Sequence, residues 1–366
     1  MEVKFFGVSA GEGSAESKDS CMTLSVRYRF ISSRFDFKSR RLNMKALGLL
    51  SGGLDSTLAV KLVQSQGVNI VGVNFTSPFS LCEEGNIYAA VKQLDIPLKT
   101  INVGNQYFKI LRNPKYGYGK NMNPCIDCRI FMFKKAKIFA EKIQADFIIT
   151  GEVLNERPMS QNIKALRITE EEAGLEGRIL RPLSAKLLPE TEAEKQGWID
   201  RERLLDIKGR SRKRQMQLAE QLGIEEYPTP SGGCLLTYKE FAAKVRDLLQ
   251  HKKRIRTGDI NLLRVGRHLR FNKNKIVVGR NEAENKQLER MRGKDDYLFE
   301  VPDCGSPITL LQGPKTDITI RLAAALTLRY SDKKGEALVR FGREELTESI
   351  LVLPSNALEI EKLRVK

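Results

Sequence analysis

From Met44 onward the apolar positions follow two alternating rhythms. Short apolar runs, "KALGLL", "VNIVGVNF", "PLKTINV" and "DFIIT", read as buried strands. Between them lie stretches with apolar residues three and four apart. These are "DSTLAVKLVQSQG", closed by Gly67, then "NIYAAVKQLD", then a long helix over 129–144. Alternation at this spacing predicts βαβ units, hence an α/β fold with a parallel sheet covered on both faces. Ligands of such sheets collect at the carboxyl ends of the strands. Those ends are "LLSGG", "VNFTS" and "IITGE".

After Thr150 the chain turns loop-rich as far as "LPETEAEKQGW". A helix follows over 210–222, ended by Gly223, and another over 239–249. Beyond these, short strand-like runs with turn signals and two helical pieces predict a smaller α+β domain. The expected division is 1–43, 44–185, 186–249 and 250–366. Residues 1–43 mix small polar and basic segments without a period and are expected to form a disordered extension. Glu2, Glu12, Glu16, Asp19 and Asp36 argue against an organellar leader there. No apolar run approaches the ~20 residues that a membrane helix needs. A soluble, cytoplasmic protein with no membrane partner is expected.

Charge sharpens this picture. Lys and Arg number 62 against 45 Asp and Glu, a net charge of +17. A surplus of that size points to a polyanionic partner, nucleic acid ahead of an anionic membrane, with a solvated basic surface as the plain alternative.

The glycine loop "SGGLDS", Ser51 to Ser56, joins the first strand to the first helix. Gly52 and Gly53 let the backbone turn tightly and aim N–H groups at an anion. The helix N-terminus adds partial positive charge, and Ser51 and Ser56 add hydroxyls. No Walker lysine follows, and no G-x-G-x-x-G is present. The loop resembles the PP-loop, S-G-G-x-D-S, of the N-type ATP pyrophosphatases, which implies a Rossmann-like PP-loop domain. Such enzymes cleave ATP between its α- and β-phosphates and transfer AMP to a carbonyl oxygen. The resemblance implies that Ser51, Gly52, Gly53, Asp55 and Ser56 bind the nucleotide, with Asp55 near Mg2+ or the reacting phosphate. Asn74 and Phe75 are implied on the adenosine side. Thr150 and Gly151 match the "TG" after a later strand in these relatives, whereas Glu152 replaces the histidine of the 2-thiouridylases.

Six cysteines without a signal peptide do not suggest a secreted disulfide framework. Cys21, Cys82 and Cys304 stand alone and read as structural or incidental. Cys125 and Cys128 lie C-x-x-C in "NPCIDCR", just before the long helix, whose start is expected to lower their thiol pKa values. This segment resembles the "NPD-x-x-C" of tRNA 2-thiouridylases, and Cys234 in "TPSGGCLLT" matches their second catalytic cysteine. Glycines ahead of Cys234 allow a close approach. Two sulfur chemistries fit. Cys128 and Cys234 could work as a persulfide and its resolving thiol. Alternatively, Cys125, Cys128 and Cys234 could hold a 4Fe–4S cluster with one iron open to hydrosulfide. Structural zinc would want a fourth ligand, and the two histidines, His251 and His268, lie in the basic C-terminal region.

Two basic stretches are candidate RNA contacts. "KGRSRKRQ" carries Lys208, Arg210, Arg212, Lys213 and Arg214, and a similar run occurs in the 4-thiouridine synthase group. "RVGRHLRFNKNKIVVGRNEAEN" resembles the NFACT RNA-binding domain, and Arg264, Arg267, Arg270, Lys273, Lys275 and Arg280 would contact phosphates. The combined expectation is an ATP-dependent tRNA sulfurtransferase that adenylates a uridine carbonyl and exchanges its oxygen for sulfur. Its cofactors would be ATP, Mg2+ and a 4Fe–4S cluster. Its partners would be tRNA and a sulfur donor, either free sulfide or a cysteine desulfurase. The rivals are a PP-loop ligase acting on a small carboxylate and a non-catalytic nucleotide- and RNA-binding protein.

Overall fold

A computed structural model describes residues 44–81, 84–229 and 233–366. The expected extension over 1–43, Cys21 and Cys82 therefore lie outside the described residues. Strand β1 (Lys45–Leu49) leads into helix α1 (Leu54–Gln64). Then come β2 (Asn69–Thr76), α2 (Glu84–Leu94), β3 (Leu98–Asn102), α3 (Gln106–Arg112), α4 (Cys125–Lys142) and β4 (Phe147–Thr150). After β4 the chain forms α5 (Ile163–Ala173), β5 (Ile179–Leu180), α6 (Glu192–Lys195) and α7 (Lys213–Gln221). The five strands make one parallel sheet in the order β3-β2-β1-β4-β5.

Both faces of this sheet are covered, which is why its strands read as unbroken apolar runs. One core joins Leu54, Leu58 and Val63 of α1 to Ile87, Leu94, Ile199 and Ala219. The other joins Leu47, Val73 and Ile148 to Phe133, Ala136 and Ala140 of α4 and to Leu175. Gly48 makes the first core possible: a Cβ there would stand 2.8 Å from Val60 Cγ2 of α1.

The remainder comprises α8 (Lys239–His251), α9 (Thr257–Leu262), β6 (Arg267–Phe271), β7 (Asn274–Val278), α10 (Glu282–Met291), β8 (Tyr297–Glu300) and β9 (Thr309–Gln312). It ends with α11 (Asp317–Arg329), β10 (Ala337–Gly342), β11 (Glu348–Val352) and α12 (Ala357–Leu363). Its six strands form an antiparallel sheet, β11-β10-β8-β9-β7-β6. Leu322, Leu326 and Leu328 of α11 pack against one set of core residues, and Leu262 and Leu288 against another. The β6 edge is capped by the chain's end, where Arg364 bridges to Leu269 and Val365 donates to the His268 carbonyl.

A third apolar cluster ties the two sheets together. Phe79, Tyr107, Phe108 and Leu111 pack with Leu236, Phe241, Val245 and Leu263. Arg112 fastens the joint by donating to the carbonyls of Leu249 and Lys252.

Three elements differ from the sequence expectation. The region after Thr150 is not all loop: α5 lies there, started by Asn162, whose Oδ1 accepts from Ala165 N–H, and ended by Gly174 at φ 61°. Helix α4 begins at Cys125 rather than at residue 129, so both cysteines lie inside its first turn. Helix α7 begins at Lys213, leaving Arg210 in the preceding loop and Arg212 at the N-cap.

Candidate active site

The carboxyl ends of the strands gather on one edge. In register, Leu49 of β1 faces Val73 on one side and Thr150 on the other, so the next residues of all three strands emerge together. Gly52 turns the chain at φ 74°, and a Cβ on it would meet Ile87 N at 2.9 Å and Asn86 C at 3.0 Å. Only a residue without a side chain fits there. Ser56 Oγ donates to the Gly53 carbonyl at 2.8 Å and receives the Ser51 N–H at 3.3 Å, closing the loop on itself. Gly53 is the N-cap of α1, and no side chain caps that end. The amides of the first turn are thus directed at the space over the loop.

Gly151 completes this floor. A Cβ on it would lie 2.4 Å from Ser56 N, so β4 runs directly against the first turn of α1. Asn74 and Thr150 serve the floor rather than the space above it. Asn74 is buried and its Nδ2 donates to the Leu50 carbonyl at 2.8 Å. The Thr150 hydroxyl bonds Glu152 Oε2 at 3.1 Å. Phe75 packs against both the α4-side core and the cluster that joins the two sheets.

Asp55 points out of α1 toward Arg212 and toward Gln215 and Arg157, which sequence reading did not single out. Burial pushes its carboxyl up, while Arg212, Gln215 and Arg157 draw it down. Glu156 is also pushed up, first by burial and then by Asp55, so the two acids face a common space. Asp55 Oδ1 is buried without a hydrogen-bond partner among the described residues. Arg212, assigned from sequence to RNA, belongs with this acid pair because α7 packs on α1. Arg210, Lys213 and Arg214 stay exposed, and Arg214 pairs with Asp206 at 2.6 Å.

The thiols lie beyond Arg157. Cys125 and Cys128, one helical turn apart on α4, share a face. Two contacts bring Cys234 to them: Leu235 N–H donates to the Phe79 carbonyl at 2.9 Å, and Met122 N–H donates to the Leu236 carbonyl at 3.2 Å. Tyr107, 2% exposed, turns its hydroxyl to Cys128 and lies within electrostatic reach of all three sulfurs. The structure therefore brings residues 106 positions apart in the chain into one neighbourhood. The expected lowering of the thiol pKa values is overturned. Burial pushes Cys125 and Cys128 up and Cys234 up to about 12, outweighing the helix N-terminus and the nearby arginines. Among the described residues, no group of three His, Cys, Asp or Glu side chains stands close enough to hold a metal ion. The three sulfurs are neighbours, not yet at ligand spacing.

Glu152 links the two halves. It is 2% exposed and pairs with Arg129 of α4 at 2.9 Å and with Arg181 at 2.9 Å, and Arg181 also binds Glu170. The acid beside Gly151 thus fixes the first turn of the cysteine helix against the strand edge. Asp127, between the cysteines, takes the N–H groups of Lys115 and Tyr116 at 2.8 and 3.0 Å. The C-x-x-C spacer is therefore a structural anchor.

Residues 42–186 match the family model described as thiamine biosynthesis protein (ThiI). This similarity covers less than half of the chain. Residues 266–364 match the NFACT protein RNA binding domain. A probable tRNA sulfurtransferase of Alkaliphilus metalliredigens is 35% identical over 151 residues, 39% of this chain and 36% of that protein. The tRNA-specific 2-thiouridylase MnmA of Listeria monocytogenes is 26% identical over 131 residues, 32% of this chain and 35% of the relative. The chain spans about a third of the length of these curated relatives. A solved 4-thiouridine synthetase–RNA complex with bound ATP is 25% identical, with a TM-score of 0.32. The match covers 50% of this chain and 52% of that one. This part of the chain is thus similar in sequence to parts of proteins named for tRNA thiolation.

In and just before the NFACT-matched region, most of the cations expected to meet RNA make contacts within the protein. Arg264 donates to the carbonyls of Pro78 and Ser80, bracing the region that holds Cys234. Arg270 grips Asp247 with two bonds at 2.7 and 2.6 Å. Arg267 bonds the Gly279 carbonyl and stacks on Tyr330, and Arg280 pairs with Glu284. Lys275 is 5% exposed, and burial brings its pKa down to about 8. These cations thus make contacts within the protein; Arg264 and Arg280 are exposed, whereas Lys275 is buried. Lys273 is exposed. Cys304, read as incidental, packs at the edge of the C-terminal core.

Proposed function

We propose that this chain is an ATP-dependent tRNA sulfurtransferase of the cytoplasm, which adenylates a uridine carbonyl oxygen and replaces it with sulfur. The observation that supports this most is a shared neighbour. The exposed guanidinium of Arg157 lies 3.4 Å from where a Cβ on Gly233, the residue before Cys234, would be, and its charge also acts on Cys125 and on Asp55 at the PP-loop. An enzyme that activates a carbonyl and then delivers sulfur to the same carbon needs both groups within one substrate's reach.

In this reading the loop Ser51–Ser56 and the amides of α1 hold the phosphates of ATP, with Arg212 facing them. The unpartnered Asp55 Oδ1 and the adjacent Glu156 fit Mg2+, a hard cation that takes carboxylate oxygens. The uridine carbonyl attacks the α-phosphate and pyrophosphate departs. Cys125, Cys128 and Cys234 would hold the cluster, since three soft thiols without a fourth protein ligand suit a 4Fe–4S group with an open iron better than structural zinc. Such a group would supply hydrosulfide to the activated carbon. Tyr107 and the surrounding aromatic side chains exclude water from that side. The C-terminal domain would hold the tRNA, and free sulfide or a desulfurase would supply the sulfur.

Anaerobically purified protein tests this reading. It should release pyrophosphate only when tRNA is present, contain iron and sulfide, and form 4- or 2-thiouridine. Cys125→Ala, Cys128→Ala and Cys234→Ala should each lose iron and thiolation. Release of pyrophosphate without tRNA contradicts the function, and an iron-free protein that still thiolates contradicts the cluster.

A further inference from the structure

Arg157 stands between the two halves of the site and is bonded to neither. Its main chain is held firmly: the N–H donates to Gln161 Oε1 at 3.0 Å, and the carbonyl accepts from Ser160 and Gln161 at 3.1 and 2.8 Å. This turn follows β4 directly, so it is anchored on the floor of the PP-loop. The guanidinium carries five N–H donors, yet makes no hydrogen bond or ion pair among the described residues. It lies 3.4 Å from where a Cβ on Gly233 would be, one residue before Cys234. Its charge acts on Asp55, Glu156, Cys125 and Cys234 alike. The neighbouring Arg129 and Arg181 are locked onto Glu152, whereas Arg157 is exposed with its donors free among the described residues.

We propose that Arg157 receives the phosphate of AMP as it departs in the sulfur-transfer step, acting as a catalytic residue of the second half-reaction. This rests on the sulfurtransferase reading above. In that step hydrosulfide attacks the adenylated carbon and a C–S bond forms. The C–O bond to AMP breaks, its electron pair stays on the phosphate oxygen, and the hydrosulfide proton ends on the ring nitrogen, restoring the N–H that adenylation removed. A phosphate that was a singly charged ester acquires a second negative charge as it leaves. A guanidinium at that oxygen binds the transition state more strongly than the ground state, which is the condition for acceleration. Its planar fork matches two phosphate oxygens, whereas lysine offers a single point of charge.

Single-turnover reactions with tRNA, ATP, Mg2+ and inorganic sulfide separate the half-reactions. Arg157→Ala should slow AMP release and thiouridine formation about 10²–10³-fold, the usual loss for one charge-stabilising donor, and clearly more than it slows pyrophosphate release. AMP affinity, measured by calorimetry without tRNA, should weaken about tenfold, as for a lost hydrogen bond to a charged group. Arg157→Lys should recover part of both. Arg157→Gln, closer in volume, guards against a folding defect, which circular dichroism would show. The proposal is overturned if Arg157→Ala thiolates at the wild-type rate. It is also overturned if pyrophosphate release and thiolation fall equally with AMP affinity unchanged. Should wild-type protein show no tRNA-dependent pyrophosphate release, the parent reading fails. The AMP affinities then still judge Arg157, and unchanged values reject it.

Discussion

At the scale of single residues, two neighbours after β4 hold the site together in different ways. Gly151 has no room for any side chain, because a Cβ would press on backbone atoms of Asp55 and Ser56 that cannot swing away. Gly151→Ala should cost about 1–3 kcal/mol of stability, the range for overpacking, and abolish ATP binding, read by thermal denaturation with and without nucleotide. Glu152 lies in a buried ion pair network. Burial alone would raise its carboxyl, but Arg129 and Arg181 outweigh that and hold it below the ordinary range. Its contribution is therefore full above the unfolded value of about 4.3 and lost as pH falls through the lower folded value. Glu152→Gln should destabilise the protein by about 3–5 kcal/mol at neutral pH, with the deficit shrinking in acid, as urea titrations at several pH values would show. The glycine was legible in the sequence because "TG" after a strand is a local pattern. The role of Glu152 was not, because its partners lie on other elements.

At the scale of elements, the four long strands and α1, α2 and α4 were legible from period and length. Helix α5 was not read, although Asn162 and Gly174 marked its ends, because its apolar stripe is sparse and its last turn holds three glutamates. The first turn of α4 shows a deeper limit. Sequence spacing suggested that a helix N-terminus would acidify Cys125 and Cys128. The aromatic packing around Phe79, Tyr107 and Phe131 removes water from the thiols and reverses the sign. Desolvation depends on residues far along the chain and leaves no local mark. In metal-free protein, iodoacetamide should thus alkylate Cys234 much more slowly at pH 8 than an unfolded control, with the rate still rising with pH beyond 10, toward the thiol's value of about 12. Rapid labelling at pH 8 with the fold intact would show that the thiol is not buried.

At the scale of the whole molecule, the basic surplus pointed to nucleic acid, but individual basic residues were poor guides. Arg264 and Arg270 are bonded within the protein, and Lys275 is enclosed. A sequence shows how many cations there are, not which of them carboxylates and carbonyls have already taken. Lys273→Ala should leave stability unchanged and reduce the slope of log affinity for tRNA against log salt by about one. Arg270→Ala should lower stability by leaving Asp247 underpaired. Lys275, brought down to about 8 by burial, favours the folded state less as pH drops from about 10.4, its unfolded value, toward 8. Lys275→Met should therefore raise the melting temperature near pH 7. The two sheets meet through the cluster that also presents Cys234. The most direct measurement is mass spectrometry of tRNA nucleosides after anaerobic reaction with ATP, Mg2+ and isotopically labelled sulfide. The account predicts one labelled thiouridine for each AMP and pyrophosphate released. Unlabelled tRNA, with ATP consumed or untouched, would contradict it.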